Sequence, residues 1–185
     1  MGAWRSATAA LAGVLALVML DATAQRAALP TRERAAQLQK DGHWQEAYDV
    51  LLRLVLDAPR GDARTPEDLR QAVQCLQRLG RIAEFDDLIE KAVLVHAQSG
   101  PVLAEAGRLC AETEHNGFIV AGKFERGGRR GGGAWVNSRE RDRARALQLM
   151  EAAMTRPDPA GGNWPTADFH RRLGRVLLGG RGYDE

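Results

Sequence analysis

Apolar residues beyond position 30 recur every three or four residues, which is the spacing of one face of an α-helix. In the run that Pro59 closes, the apolar face carries Trp44, Ala47, Tyr48, Leu51, Leu54 and Val55. The next run opens with Thr65 and Pro66, a pair typical of a helix start, and ends at Gly80. Similar stripes follow from residues 82, 102, 146 and 169. The pattern predicts an all-α chain built from antiparallel helix pairs.

The first two helix pairs share a set of turn and packing residues. Gly42 and Gly80 lie at equivalent turns, 38 residues apart, near the period of about 34 residues in tetratricopeptide repeats. The chain resembles that family in its turn glycines, packing residues and closing proline, at Gly42, Ala47, Leu51, Pro59, Gly80 and Ala92. Thr31 and Phe85 depart from the family pattern, which prefers tryptophan and a small residue there. The resemblance implies tetratricopeptide-like pairs stacked as a short solenoid.

The helical stripes divide the chain after residue 30 into three parts. Residues 31–98 are predicted to form two helix pairs, and residues 99–157 a third helical unit with a Gly/Arg-rich loop at 126–136. Residues 166–185 resemble the start of a further pair that stops where its second helix is due. We therefore expect a piece of a longer protein, with a frayed natural end as the alternative.

The first residues have the features of a targeting segment. Arg5 precedes an apolar run at residues 7–20, and the small residues of Ala22-Thr23-Ala24 suit a signal peptidase. We predict a signal peptide at 1–24, export to the periplasm or beyond, and no integral membrane segment after its removal. An uncleaved anchor is the alternative.

Charge and cysteine content identify no partner and no reaction. Lysine and arginine number 26 against 24 acidic residues, a formal net charge of +2, so global charge favours no class of ligand. Cys75 and Cys110 either form a disulfide in an oxidising compartment or remain buried thiols. No nucleophile–base pair and no metal-ligand spacing stands out. We predict a non-catalytic protein with no cofactor and no metal.

The segment Gly117 to Lys123, GFIVAGK, resembles a phosphate-binding loop, and the glycines and arginines behind it resemble a nucleic-acid contact. Phe124 occupies the position where a phosphate loop needs a hydroxyl, and the preceding segment is helical rather than a strand. The glycine–arginine run is short, so we predict a loop between helices and no nucleic acid. Its cations are candidate contacts to an anion or an acidic partner, namely Lys123, Arg126, Arg129 and Arg130.

The order of segments in this chain resembles the N-terminal helical region of exported bacterial proteins of the alpha-2-macroglobulin family. That order is signal peptide, helical repeats, the glycine–arginine segment and the final "LLGGRGYDE". The bait region and thioester motif of that family are absent from this sequence, so no protease-trapping residue can be assigned. Three functions follow as hypotheses. The first is a cell-envelope scaffold for a protein partner, the second a structural part of such an inhibitor packed against its own chain, and the third an anion-binding protein through residues 117–130.

Overall fold

The computed structural model describes residues 31–57, 62–128 and 131–179. These residues are mostly helical, with seven α-helices: α1 (Arg32–Lys40), α2 (Trp44–Leu56), α3 (Thr65–Arg78), α4 (Phe85–Val95), α5 (Gly100–Glu112), α6 (Arg139–Met154) and α7 (Ala167–Leu178). Three strands lie between α5 and α6: β1 (Asn116–Val120), β2 (Lys123–Arg126) and β3 (Ala134–Asn137). The helical prediction is confirmed in this coarse form, and the strands correct the expectation of an all-α chain.

Short polar side chains precede several helices and cap them. The Thr31 hydroxyl accepts a hydrogen bond from the Arg34 amide at 3.1 Å, and Thr166 accepts one from the Phe169 amide at 3.2 Å. Ser99 begins α5 in the same way, with a longer bond of 3.4 Å from the Val102 amide. Each cap satisfies a backbone donor that the first helical turn leaves free.

Two equivalent turns follow α1 and α3. Gly42 and Gly80 have φ of +80° and +67°, a left-handed conformation that glycine adopts without steric cost. After each glycine the next amide donates back into the preceding helix, from His43 to the Leu38 carbonyl and from Arg81 to the Leu76 carbonyl, both at 2.8 Å. This 6→1 bond is typical of a glycine-terminated helix.

Apolar side chains of all seven helices form one core. Ala47, Leu51 and Ala92, three of the repeat-signature residues, are fully buried, and so is Phe85 at the position where a small residue was expected. Pro59 lies outside the described residues. α3 contacts α1 through the hydrogen bond from the Gln39 amide to the Cys75 sulfur, while α4 packs against α2. The helix faces identified from apolar spacing are therefore largely the buried ones, although Met154 on α6 and Leu177 on α7 are exposed.

The three strands form an antiparallel sheet in the order β2–β1–β3. β1 and β2 pair through Ile119 and Phe124 and join at the two-residue turn Ala121-Gly122, whose φ values of +48° and +79° are typical of a tight hairpin. β3 pairs with the other edge of β1, with Trp135 opposite Phe118. The segment that resembles a phosphate loop is thus a β-hairpin, and only the middle of the predicted 126–136 loop is a connection between strands.

The described residues belong to one compact unit that begins at Thr31. None of the described helices has the length and apolar character that crossing a lipid bilayer requires. The predicted signal peptide at 1–24 and residues 180–185, in the last part of the predicted further helix pair, lie outside the described residues.

Candidate functional site

A buried cluster of charges holds the sheet against the helices. The Arg126 side chain on β2 has 0% of its surface exposed. Its guanidinium lies 2.8 Å from a carboxylate oxygen of Asp86 on α4, and it donates to both oxygens of Asp142 on α6 at 2.7 and 2.8 Å. Three elements that are distant in sequence therefore meet at one side chain.

Further polar groups complete the hydrogen bonds of this Arg126 cluster. Arg126 also donates to the Glu114 backbone carbonyl at 2.6 Å, and the Ser138 hydroxyl donates to Asp142 at 2.7 Å. His115 Nδ1 lies 3.0 Å from the same Asp142 oxygen. The ring centroids of Phe85 and Phe124 lie 5.0 and 5.3 Å from the guanidinium carbon, a distance at which an aromatic face attracts a cation.

Burial and hydrogen bonding act in opposite directions on the charges of the cluster. Burial alone raises the pKa of Asp142, but hydrogen bonds from Arg126, His115 and Ser138 outweigh it and hold that pKa well below its usual range. Burial likewise lowers the pKa of Arg126, and its bonds to Asp142 and Asp86 raise it above the ordinary arginine value. Both groups are charged near neutral pH, so the cluster is a structural ion pair rather than an acid–base site.

The candidate contact residues of the glycine–arginine segment have separate environments. Arg126, with its side chain buried and occupied by carboxylates, has no surface to offer an external anion. Lys123 is exposed at the start of β2. Arg129 and Arg130 lie outside the described residues. The anion-contact hypothesis for this segment now applies to Lys123 alone among the described residues.

Cys75 and Cys110, which the sequence offers as a possible disulfide, are both buried free thiols in the structure. Burial raises the pKa of the Cys110 thiol to about 12 and raises that of Cys75. A thiol of high pKa carries little thiolate and reacts slowly. Both side chains therefore act as small core residues.

A second cluster of charges lies on the surface, in a groove of about 200 Å³ between α5, α6 and α7. We call it the arginine groove. Five arginines and two glutamates surround its apolar floor, and its lining consists of Arg108, Ala111, Glu112, His115, Arg139, Glu140, Arg143, Met150, Arg172, Arg175, Val176 and Gly179. Cations outnumber anions here, although the chain as a whole is nearly balanced.

The arginines of this groove differ in how firmly they are held. Arg108 pairs with Glu105 on its own helix at 2.5 Å, and Arg172 pairs with Asp168 at 2.5 Å. Arg143 crosses from α6 to α7 and donates to the carbonyls of residues 176 and 177, both at 3.0 Å. Positive charge at the last carbonyls of a helix is favourable, because those groups lack partners within the helix.

A neighbouring groove of about 270 Å³ separates α3 from α5. Its lining is largely polar and consists of Arg70, Val73, Gln74, Gln77, Arg108, Leu109, Glu112 and Thr113. Arg108 and Glu112 line both grooves, so the two adjoin at these residues of α5. We call this second one the α3–α5 groove.

Sequence reasoning did not identify either groove. Arg139 and Arg143 lie four residues apart and so share one face of α6. This spacing is the sequence signal for one wall of the arginine groove. Nothing in the sequence indicated that Arg172 and Arg175 of α7 lie opposite them. Within residues 31–57, 62–128 and 131–179, no group of three or more His, Cys, Asp or Glu side chains is placed to hold a metal ion.

Comparisons with protein-family models, with curated proteins and with solved structures find no match for this chain.

Proposed function

We propose that the protein is an exported, non-catalytic helical-repeat scaffold. It binds a protein partner along α3, α5 and α7, each of which is the first helix of a predicted helix pair. The observation that carries this proposal is that the arginine groove and the α3–α5 groove adjoin at Arg108 and Glu112 of α5. Concave sites that run over several helices of a repeat array are the usual binding surfaces of such scaffolds.

The packing of the first two helix pairs supports the repeat architecture. Residues one repeat apart contact each other, since Arg32 on α1 pairs with Asp68 on α3 at 2.6 Å and Gln39 on α1 bonds Cys75 on α3. At the other side of the array, His96 after α4 donates to the Val55 carbonyl of α2 at 2.6 Å. Equivalent helices thus lie side by side, which is the arrangement that stacks helix pairs into a solenoid.

The environment of the titratable groups supports a binding role over a catalytic one. The most strongly perturbed carboxylate, Asp142, is neutralised by Arg126 inside the core. In contrast, Arg70, Arg139 and Arg175 of the grooves are exposed to solvent, where they can form hydrogen bonds with another molecule.

Site-specific photo-crosslinking in the native host tests the proposed surface. A photoreactive residue is placed at Gln74, which is exposed in the α3–α5 groove, and in a second variant at Leu94, which is 80% exposed on α4 and lines neither groove. We expect a discrete crosslinked partner from position 74 and none from position 94. Equal crosslinking from both positions, or none from either, would contradict the proposal.

A further inference from the structure

The arginine groove carries two cations without an anionic partner among the described residues. Arg139 contributes from the start of α6 and Arg175 from the last turn of α7, and both side chains are exposed. The acidic side chains that form ion pairs in this region pair with other arginines, as in the pairs of Arg108 with Glu105 and of Arg172 with Asp168. Two solvated guanidinium groups therefore border the groove with no ion pair among the described residues.

The helices that carry these two cations are held in place by contacts between α6 and α7. Arg143 ties α6 to the end of α7 through two carbonyl bonds, which fixes the helices that carry Arg139 and Arg175. The floor between them is apolar and includes Ala111 and Val176, which are both half-buried. The site therefore combines a fixed apolar base with a cationic rim.

A rim of this kind recognises carboxylates. The planar guanidinium offers paired donors that match the two oxygens of a carboxylate, and such charge-assisted bonds are about twice as strong as neutral ones. The apolar floor adds a place for an aliphatic side chain, which an inorganic ion does not have. An occupant that satisfies both features carries acidic and apolar side chains close together.

We propose that the arginine groove binds an acidic segment of the partner protein, with carboxylates at Arg139 and Arg175 and an apolar side chain over Ala111 and Val176. This inference rests on the proposed scaffold function and names the chemistry of its partner. Because the α3–α5 groove adjoins this one at Arg108 and Glu112, an extended chain, unlike an isolated ion, is long enough to contact both grooves.

The probe is a short rhodamine-labelled peptide of alternating glutamate and leucine, and its binding to the full chain is followed by fluorescence anisotropy. We expect saturable binding that weakens with salt. In the double variant Arg139→Gln/Arg175→Gln, binding is expected to weaken about tenfold or more, because each lost charge-assisted bond has a cost of this order.

The matched control is Arg34→Gln/Arg53→Gln. It removes two arginines that are also exposed and have no described side-chain partner, but that lie on α1 and α2, outside the groove. We expect this variant to bind like the wild type, and a peptide with glutamine in place of glutamate not to bind. Thermal unfolding of both double variants checks that each remains folded.

Three results would overturn the proposal. They are an equal loss of affinity in both double variants, equal binding of the glutamine peptide, and full displacement of the probe by inorganic phosphate at the concentration of the peptide. The first indicates general charge attraction, and the last a small-anion site. If the probe fails while the photoreactive residue at position 74 still captures a partner, the scaffold function stands and only the acidic-segment inference falls.

Discussion

At the scale of the residue, the guanidinium of Arg126 joins parts of the chain 16 and 40 positions away, at Asp142 and Asp86. A buried arginine is tolerated only when carboxylates and further hydrogen bonds replace the water it loses. The Glu114 carbonyl and the carboxylates of Asp86 and Asp142 supply that replacement. The cluster as a whole therefore adds little to the free energy of unfolding. Removing one member lowers that free energy strongly, because it leaves a buried charge without a partner.

Replacing Arg126 with alanine is expected to lower the free energy of unfolding by about 3–5 kcal/mol, because the buried Asp142 carboxylate loses its main partner. Urea denaturation at neutral pH measures the loss. The matched control is Lys123→Ala on the same strand, where the side chain is exposed and the expected change is within about 0.5 kcal/mol. Similar small losses in both variants would show that the ion pairs of Arg126 are unimportant.

The same cluster makes stability depend on acid pH. The pKa of Asp142 in the folded chain lies below its value in the unfolded chain, so the unfolded state takes up protons first as the pH falls. The contribution of this group is thus complete at neutral pH and is lost progressively below about pH 5.

Asp142→Asn is therefore expected to be less stable than the wild type near neutral pH and to lose stability less steeply on acidification. Urea midpoints measured from about pH 7 to pH 3 give the two slopes. Glu140→Gln, on the same helix with a side chain 79% exposed, is expected to keep the wild-type slope. A parallel decline in Asp142→Asn and the wild type would remove Asp142 from the explanation.

At the scale of the element, the hairpin β1–β2 explains the segment GFIVAGK. Its aromatic and β-branched residues, Phe118, Ile119, Val120 and Phe124, favour strands, and the two residues between the strands adopt positive φ. Ala121 is the one described residue other than glycine with positive φ. A hairpin of this type prefers asparagine or glycine there, because the β-carbon of alanine is strained in that conformation.

Ala121→Asn is expected to raise the free energy of unfolding by about 0.5–1 kcal/mol through relief of this strain. Gly122→Ala is expected to lower it by about 1 kcal/mol, since φ there is +79° although no atom lies within 4 Å of the added carbon. Gly128→Ala, which also has open space but no positive φ, serves as the control, and it is expected to raise the free energy of unfolding by about 0.4–1 kcal/mol because alanine restricts the unfolded chain. Urea denaturation measures all three, and a stabilising Gly122→Ala would refute the assigned turn.

At the scale of the whole molecule, one core protects both cysteines. Cys75 and Cys110 have 0% and 5% of their surface exposed, and burial raises both thiol pKa values. We expect neither thiol of the native full chain to react with a disulfide-forming chromogenic reagent, and both to react in urea without reductant. Leu94→Cys, at a position 80% exposed, provides the accessible control. Absence of reactive thiols in urea would instead demonstrate a disulfide.

Helix boundaries were predictable from the sequence because the signals that set them are local. Thr65-Pro66 begins α3, and Gly42 and Gly80 follow α1 and α3, close to the predicted places. The sheet was not predicted because a short strand differs from a short apolar loop only in pairing with another strand, and the sequence does not show that pairing. Periodicity cannot resolve runs as short as the five residues of β1.

The sequence by itself determined the helices, their buried faces and the glycine turns, because each depends on residues within a few positions of one another. Only the tertiary structure decided the rest. Arg126 was predicted to be a surface contact, but it is a buried ion-pair residue because folding places Asp86 and Asp142 beside it. Arg139 and Arg175 came to border one groove when α6 packed on α7. Electrostatic sites depend on distance in space, and in this protein that distance is set by packing between elements far apart in the chain.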